Sequence, residues 1–464
     1  VTHYSRPTAL FSFLVFICFF CQAQDEVTIS SLTFEGNRIT RERILLREVT
    51  FREGQSIARE SLPYHLERSK GNLWNLLLFN FVEIDTCHYS ANEIDVVVRV
   101  TERWYVWPIP FVEFADRNLR EWWETKRWDR LDYGTLVRWS NFRGLKEELT
   151  LHLRFGFNNR YELRYEIPYL DKAQKWGIEF KGGYEQSHEV AFATVNNKRV
   201  FFKNSKSHIR KESYGAITPR WRPNLYNLHK LEVGYTHAWV HDSVAKLQPA
   251  YFGAGENVSR YFSIEYEVMR DVTDYTDYPT KGYRIEFKLR KDGLRIMDSP
   301  VDIWTIEFEY AKYWQIHNRW YFAHAQKIKA SSTNGQAYSL QEGLGYERNF
   351  VRGYELYVVD GQHYGLLKTA LKWAILPMRK VKLKFLRSEK FNTLPLAIYI
   401  SANFDMGFVM DNQFNVGNPL AGSLLLGGGM GIDLVTFYDI SWRAEYSVNK
   451  NLEHGFFLHF TKHI

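Results

Sequence analysis

The segment Arg160–Ile167, RYELRYEI, alternates without a break: Tyr161, Leu163, Tyr165 and Ile167 lie on one strand face, Arg160, Glu162, Arg164 and Glu166 on the other. Four charges on one face cannot form a dry core. The preceding ELTLHLRFGF repeats the register, with Leu149, Leu151, Leu153, Phe155 and Phe157 opposite Glu148, Thr150, His152 and Arg154. Further on, Tyr283, Ile285, Phe287 and Leu289 oppose Arg284, Glu286, Lys288 and Arg290, and Trp304, Ile306, Phe308 and Tyr310 oppose Glu307 and Glu309. Near the end Trp442, Ala444 and Tyr446 oppose Ser441, Arg443 and Glu445. Such strands suit lipid on one side and water on the other.

A soluble sandwich also alternates, but here the apolar faces are rich in Trp, Tyr and Phe, as at the aromatic girdles of membrane barrels. The negative mean hydropathy argues against helical spans. Roughly sixteen strands fit between Ile109 and the C-terminus, an even number as bacterial barrels use. The expected fold class is therefore mainly β: a roughly 16-stranded antiparallel transmembrane β-barrel, whose closure removes the edges an open sheet exposes.

The N-terminus reads as a processing signal. An apolar run from Leu10 to Cys21 follows His3 and Arg6, too short for a spanning helix, and Cys21 and Ala23 sit where a signal peptidase reads. Residues 1–23 are the expected signal peptide. Phe20 before Cys21 is too bulky for a lipobox. Of three cysteines, Cys18 and Cys21 leave with the signal and Cys87 remains alone, so no intramolecular disulfide is expected.

Residues 25–103 read as a separate small α/β module in the order strand, two helices, strand, strand, and 104–464 as the barrel. Gly36-Asn37 marks a turn, Thr40 is the expected N-cap of a helix carrying Ile44, Leu45 and Val49, Pro63 suits an early helical turn, and EIDVVVRVTER alternates. The stretches FEGNRIT, LFNFVEI and VVVRVTER, in that order, resemble a POTRA domain. The resemblance implies a sheet edge that pairs with extended client segments or neighbouring modules, which unpaired backbone groups make possible.

Two stretches stand out in the barrel region. VRGYE (Val351, Arg352, Gly353, Tyr354, Glu355) falls in a long connection, about 331–364. In LAIYISANFDMG, Leu396, Ile398, Ile400 and Phe404 share one face, so Asn403 and Asp405 face inward. VRGYE resembles the sixth-loop motif of the BamA/TamA superfamily of POTRA-plus-barrel outer-membrane assembly and secretion factors, the surface-antigen family, here as a single-POTRA member. The resemblance implies that this loop folds into the lumen and that Arg352 meets an inner-wall partner, NFDMG, containing Phe404, Asp405 and Gly407. A guanidinium fork suits a carboxylate. In a wet lumen the bond is expected to contribute about 1.5–3 kcal/mol. The turn DYPTKG, with Pro279, Thr280 and Gly282, resembles the family's PTxG turn. Parity turns Lys368 and Lys372 inward, which leaves Arg352 with Asp405 alone and Lys372 as a repelling neighbour. The chain ends in Lys462-His463-Ile464 where the family has an aromatic residue, and 377–394 forms a long basic turn.

The expected function is assembly or translocation of client polypeptides at the bacterial outer membrane, with the POTRA domain in the periplasm. A weakly zipped seam joins the first strand, about Ile109 to Asp116 with Ile109 and Phe111, to the last, with Phe456, Leu458 and Phe460. Gly427, Gly428, Gly429 and Gly431 either soften that region or allow tight packing. Expected partners are clients, periplasmic chaperones or accessory lipoproteins, and outer-membrane lipids, to which a net charge of +7 is suited. A pore dedicated to one secreted partner and a passive diffusion channel are the alternatives. No nucleic-acid partner, cofactor, metal or catalytic residue is expected: the charge forms no block, and the 15 histidines are scattered.

Overall fold

The computed structural model describes residues 25–461 except 89, 91, 115–127, 205, 333–336, 385 and 437–440. The expected signal segment and the terminal Lys462-His463-Ile464 lie outside the described residues.

The N-terminal module contains β1 (Glu26–Glu35), α1 (Glu42–Glu48), β2 (Ser56–Ala58), α2 (Leu62–Trp74), β3 (Phe79–His88) and β4 (Glu93–Glu102), with sheet order β2-β1-β4-β3. The alternation in β4 buries Ile94, Val96, Val98 and Val100 against Ile44 and Leu45 of α1 and Leu73 of α2. Strand β2 was not expected, since three residues carry no readable period. Thr40 is not the N-cap. Helix α1 follows Arg41 without a side-chain cap, and the Thr40 hydroxyl donates to Glu102 at 2.7 Å. That buried carboxylate also accepts the backbone N–H groups of Ile39 and Thr40, at 3.0 and 2.7 Å, and so competes successfully for the hydroxyl.

The rest is mainly strands, with short helices at Asp242–Leu247 and Glu389–Asn392: β5 (Val106–Phe114), β6 (Leu131–Phe142), β7 (Glu147–Gly156), β8 (Asn158–Ile167), β9 (Trp176–Ser187), β10 (Glu189–Val195), β11 (Lys198–Lys203), β12 (Arg210–Trp221), β13 (Asn227–Val240), β14 (Val258–Asp271), β15 (Gly282–Asp292), β16 (Ile303–His317), β17 (Trp320–Ser331), β18 (His363–Lys382), β19 (Thr393–Met410), β20 (Leu424–Val435), β21 (Ser441–Asn449) and β22 (His454–Thr461). All but β10 and β11 form one sheet of 16 strands, each antiparallel to its neighbour in the chain. The β10–β11 hairpin stands apart. The period-2 pattern decides which face each residue takes: along β19, Tyr399, Ser401, Asn403, Asp405 and Val409 are buried, whereas Phe404, Met406, Phe408 and Met410 are exposed. The sheet curls into a tube, because residues of β15 and β16 line the same cavity, about 700 Å³, as residues of β21 and β22.

The α/β module covers one mouth of this tube. Arg222, after β12, donates to Glu48 of α1 at 2.8 Å and to the Tyr169 hydroxyl at 2.9 Å. Arg47 donates to the Gln174 carbonyl at 2.9 Å, and Asn141 reaches the Thr40 hydroxyl at 2.9 Å. The basic 377–394 stretch is not a simple turn. Strand β18 runs into it as far as Lys382, paired with Thr393 at the start of β19, Lys380 binds Glu83 of β3, and Phe391 packs edge-on to Trp107 at 6.2 Å.

Candidate functional site

The β17–β18 connection enters the tube and sets Arg352 against its inner wall. Arg352 is 3% exposed, and the Asp405 and Glu445 that hold it are 0% and 1% exposed. Its Nη1 donates to Asp405 Oδ1 at 2.5 Å and its backbone N–H to Oδ2 at 3.2 Å. On the other side, Nε donates to Glu445 Oε2 at 3.0 Å and lies 2.7 Å from Oε1. Ser447 and Asn403 donate to the same Glu445 carboxylate, at 2.8 and 3.2 Å. All three side chains are almost fully buried, so the small energy expected for a solvated pair does not apply. Removing one member of such a group leaves a buried charge uncompensated.

Glycines make the approach possible. A Cβ on Gly427 would lie 1.7 Å from the Arg352 carbonyl oxygen, and one on Gly407 would lie 2.5 Å from Val351 Cγ2. Gly353 has φ +81°, which a side chain would resist, and the Asn449 amide donates to its carbonyl at 2.8 Å. Val351 and Tyr354 are buried with Leu344, Val409 and Leu425. Close packing thus accounts for the glycine at 427.

Several expectations change here. Arg352 does not have Asp405 alone: Glu445 supplies a second carboxylate, from β21 and not from the strand after the loop. Lys372 is turned aside, its Nζ 4.2 Å from the centre of the Tyr278 ring, while Lys368 lies over Phe350 at 4.2 Å. Phe404 does not belong to the inner wall; it is 49% exposed on the outer face, because it alternates with Asp405. Glu355 forms no ion pair with Arg352 among the described residues, although its buried carboxyl lies within electrostatic reach of Arg352 and Glu445.

A second inward contact comes from the opposite mouth. The β14–β15 turn is shaped by Gly282, at φ +103°, and by Asp274, which accepts the N–H groups of Thr280 and Lys281 at 2.9 and 3.0 Å. Pro279 follows Tyr278, whose hydroxyl donates to Asp433 at 2.6 Å. Arg443 binds the same carboxylate through Nε and Nη2, at 2.6 and 2.9 Å, and the Tyr278 ring stacks on Tyr399 at 5.0 Å. The turn also meets the α/β module, where Asn75 donates to the Asp274 carbonyl at 3.1 Å and accepts the Thr276 N–H at 3.0 Å. Sequence patterns gave no sign of this contact.

Strands β5 and β22 end the sheet, and among the described residues no ladder joins them. Ile109 and Phe111 share the inner face of β5 with Glu113, which binds Arg154 at 2.9 Å. Phe456 and Leu458 point outward, 65% and 69% exposed. The Phe460 backbone pairs with Trp442. Asp116 lies outside the described residues. Elsewhere the charged inner face is self-paired: Arg160 with Glu162 at 2.7 Å, Lys230 with Glu267 at 2.9 Å, Lys288 with Glu286 at 2.6 Å and Arg290 with Glu265 at 3.1 Å. Among the described residues no cluster of His, Cys, Asp or Glu could hold a metal ion.

Comparison with known families agrees with this architecture. The POTRA family profile, described as surface antigen variable number repeat, matches residues 27–103, and the Omp85 superfamily domain matches 141–363. The chain is a POTRA-bearing β-barrel protein of the Omp85 superfamily. As an Omp85 protein it belongs with transport and assembly factors of the outer membrane, in outer-membrane protein assembly or secretion. Solved structures share its fold at low identity. BamA from Haemophilus ducreyi lacking POTRA domains 1-3 is 14% identical with a TM-score of 0.51, over 93% of this chain and 83% of that one. CdiB from Escherichia coli is 12% identical with a TM-score of 0.54, over 94% and 74% of the two chains. No curated protein matches this Omp85 chain.

Proposed function

We propose that this Omp85 protein inserts client polypeptides into the outer membrane, or passes them across it, through the seam between β5 and β22, with its POTRA domain in the periplasm. The pair of unladdered edges carries the reading. In lipid each unmatched backbone group costs several kcal/mol, so a strand that completes the pairing is strongly favoured. The POTRA sheet edge receives extended clients, delivered by periplasmic chaperones or accessory lipoproteins, and the Arg352 anchor holds the surface loop in one pose beside the seam strands. No covalent bond is made or broken in this cycle. A passive channel fits less well, because the POTRA domain covers one mouth, and at the other the Asn197 carbonyl of the β10–β11 turn accepts the Val358 N–H at 2.9 Å.

Depletion followed by outer-membrane proteomics tests the reading. Loss of many barrel proteins supports general assembly, and loss of one exported protein supports dedicated secretion. Unchanged protein content with altered uptake of small solutes would refute both.

A further inference from the structure

Strand β5 reads VWPIPFVEF, with prolines at 108 and 110. An antiparallel strand directs successive backbone groups alternately to its two sides. The Tyr105 carbonyl accepts the Ser140 N–H at 2.8 Å, and the ladder continues Val106 to Trp139, Trp107 to Arg138 and Pro108 to Val137. Odd-numbered residues of β5 therefore turn their backbone groups toward β6. Even-numbered ones, including Pro108 and Pro110, turn theirs toward the seam. Proline has no N–H, so at two successive seam-facing positions β5 presents carbonyls only. Donors remain at Val106, Val112 and Phe114. The opposite lip, β22, reads HGFFLHFT and has no proline, so it keeps its full alternation of donors and acceptors.

The geometry points to an asymmetric seam: Pro108 and Pro110 keep the half of β5 nearest the POTRA domain from zipping to β22, and β22 is the edge on which an incoming extended strand of an unfolded outer-membrane polypeptide is templated. A strand laid against residues 108–110 would leave two of its carbonyls without donors. Laid against β22 it would leave none. This inference rests on the lateral-seam reading above and adds to it which lip does the pairing.

The test uses the full chain in lipid vesicles, with Cys87→Ser to remove the exposed native thiol and single cysteines at Val112 and, in turn, at Phe456 or Leu458. Oxidation then reports seam closure. Pro108→Val with Pro110→Val restores two donors in a strand-favouring residue, and about tenfold more cross-linked product is expected than with the native prolines. Unchanged cross-linking in the valine variant overturns the blunting. In parallel, a urea-unfolded eight-stranded outer-membrane barrel is offered to native chain carrying a photo-cross-linker at Val106 or at Phe456. Capture at Phe456 is expected, and capture mainly at Val106 overturns the assignment of β22. If the native chain captures the probe at neither lip, the lateral-seam reading and the choice of β22 both fall, while the proline effect is still judged by the cysteine pair.

Discussion

Arg352 and Glu445 lie 2.7 Å apart on the inner wall although 93 residues separate them in the chain. The contact reaches from the inward loop to the second strand from the seam. With Asp405 it makes a buried group of one cation and two carboxylates, so the cation is the member whose loss leaves like charges facing each other.

Arg352→Ala should therefore be the most damaging single change at the anchor, costing about 3–5 kcal/mol. Glu445→Gln should cost less, because an amide oxygen can still accept from Ser447 or Arg352. Protease cleavage within 340–360, together with the unfolding temperature, measures both. Equal tolerance of the two variants would contradict the arrangement.

Gly427→Ala should unseat the loop without disturbing β20. Its methyl group would fall on a backbone oxygen that cannot turn away, whereas at Gly407 it would meet movable ends of Val351 and Leu344. The expected cost is about 1–3 kcal/mol at 427 and less at 407, again read as loop cleavage.

Tyr278→Phe removes the hydroxyl from Asp433 but keeps the ring on Tyr399. Arg443 still holds that carboxylate, so a loss of about 1 kcal/mol is expected in thermal unfolding. Tyr278→Ala, which also loses the stacking, should cost clearly more.

Docking of the POTRA domain should depend on pH through Glu48. Burial alone would raise its carboxyl above the usual value near 4.5, but attraction to Arg222, Lys146 and Arg47 outweighs this and holds it below. A depressed carboxyl contributes fully above its ordinary value, and its contribution is lost as pH falls through the depressed one. The protection of α1 amides against hydrogen exchange, relative to the intrinsic rate at each pH, should stay constant from neutral pH down to about 5 and fall only below about 4. Glu48→Gln should raise exchange at neutral pH, leaving Arg222 without its ionic partner, and flatten the acid response.

The tube was legible in the sequence because alternation is local: each strand states its own two faces, and sixteen of them tile one sheet. Parity also turned Glu445 inward, yet it could not bring that residue to Arg352. Facing is set by period, whereas meeting depends on register across β20, where Asp405 pairs with Gly427 and Glu445 with Gly431. Thr40 was misread because a threonine before a helix has two outlets for its hydroxyl, and the buried Glu102 decides between them. The Glu48–Arg222 and Tyr278–Asp433 contacts left no trace in any pattern, because each joins single polar residues more than a hundred positions apart.

The wall of the tube has a consequence for whatever moves beside it. Where inward arginines and lysines are neutralised by neighbouring glutamates it exerts little net pull on a passing segment of either sign, whereas Lys368 and Lys372 rest on aromatic rings instead. A client following the paired stretches would be sorted less by its charge than by backbone shape at the sheet margins and by the domain at the entrance.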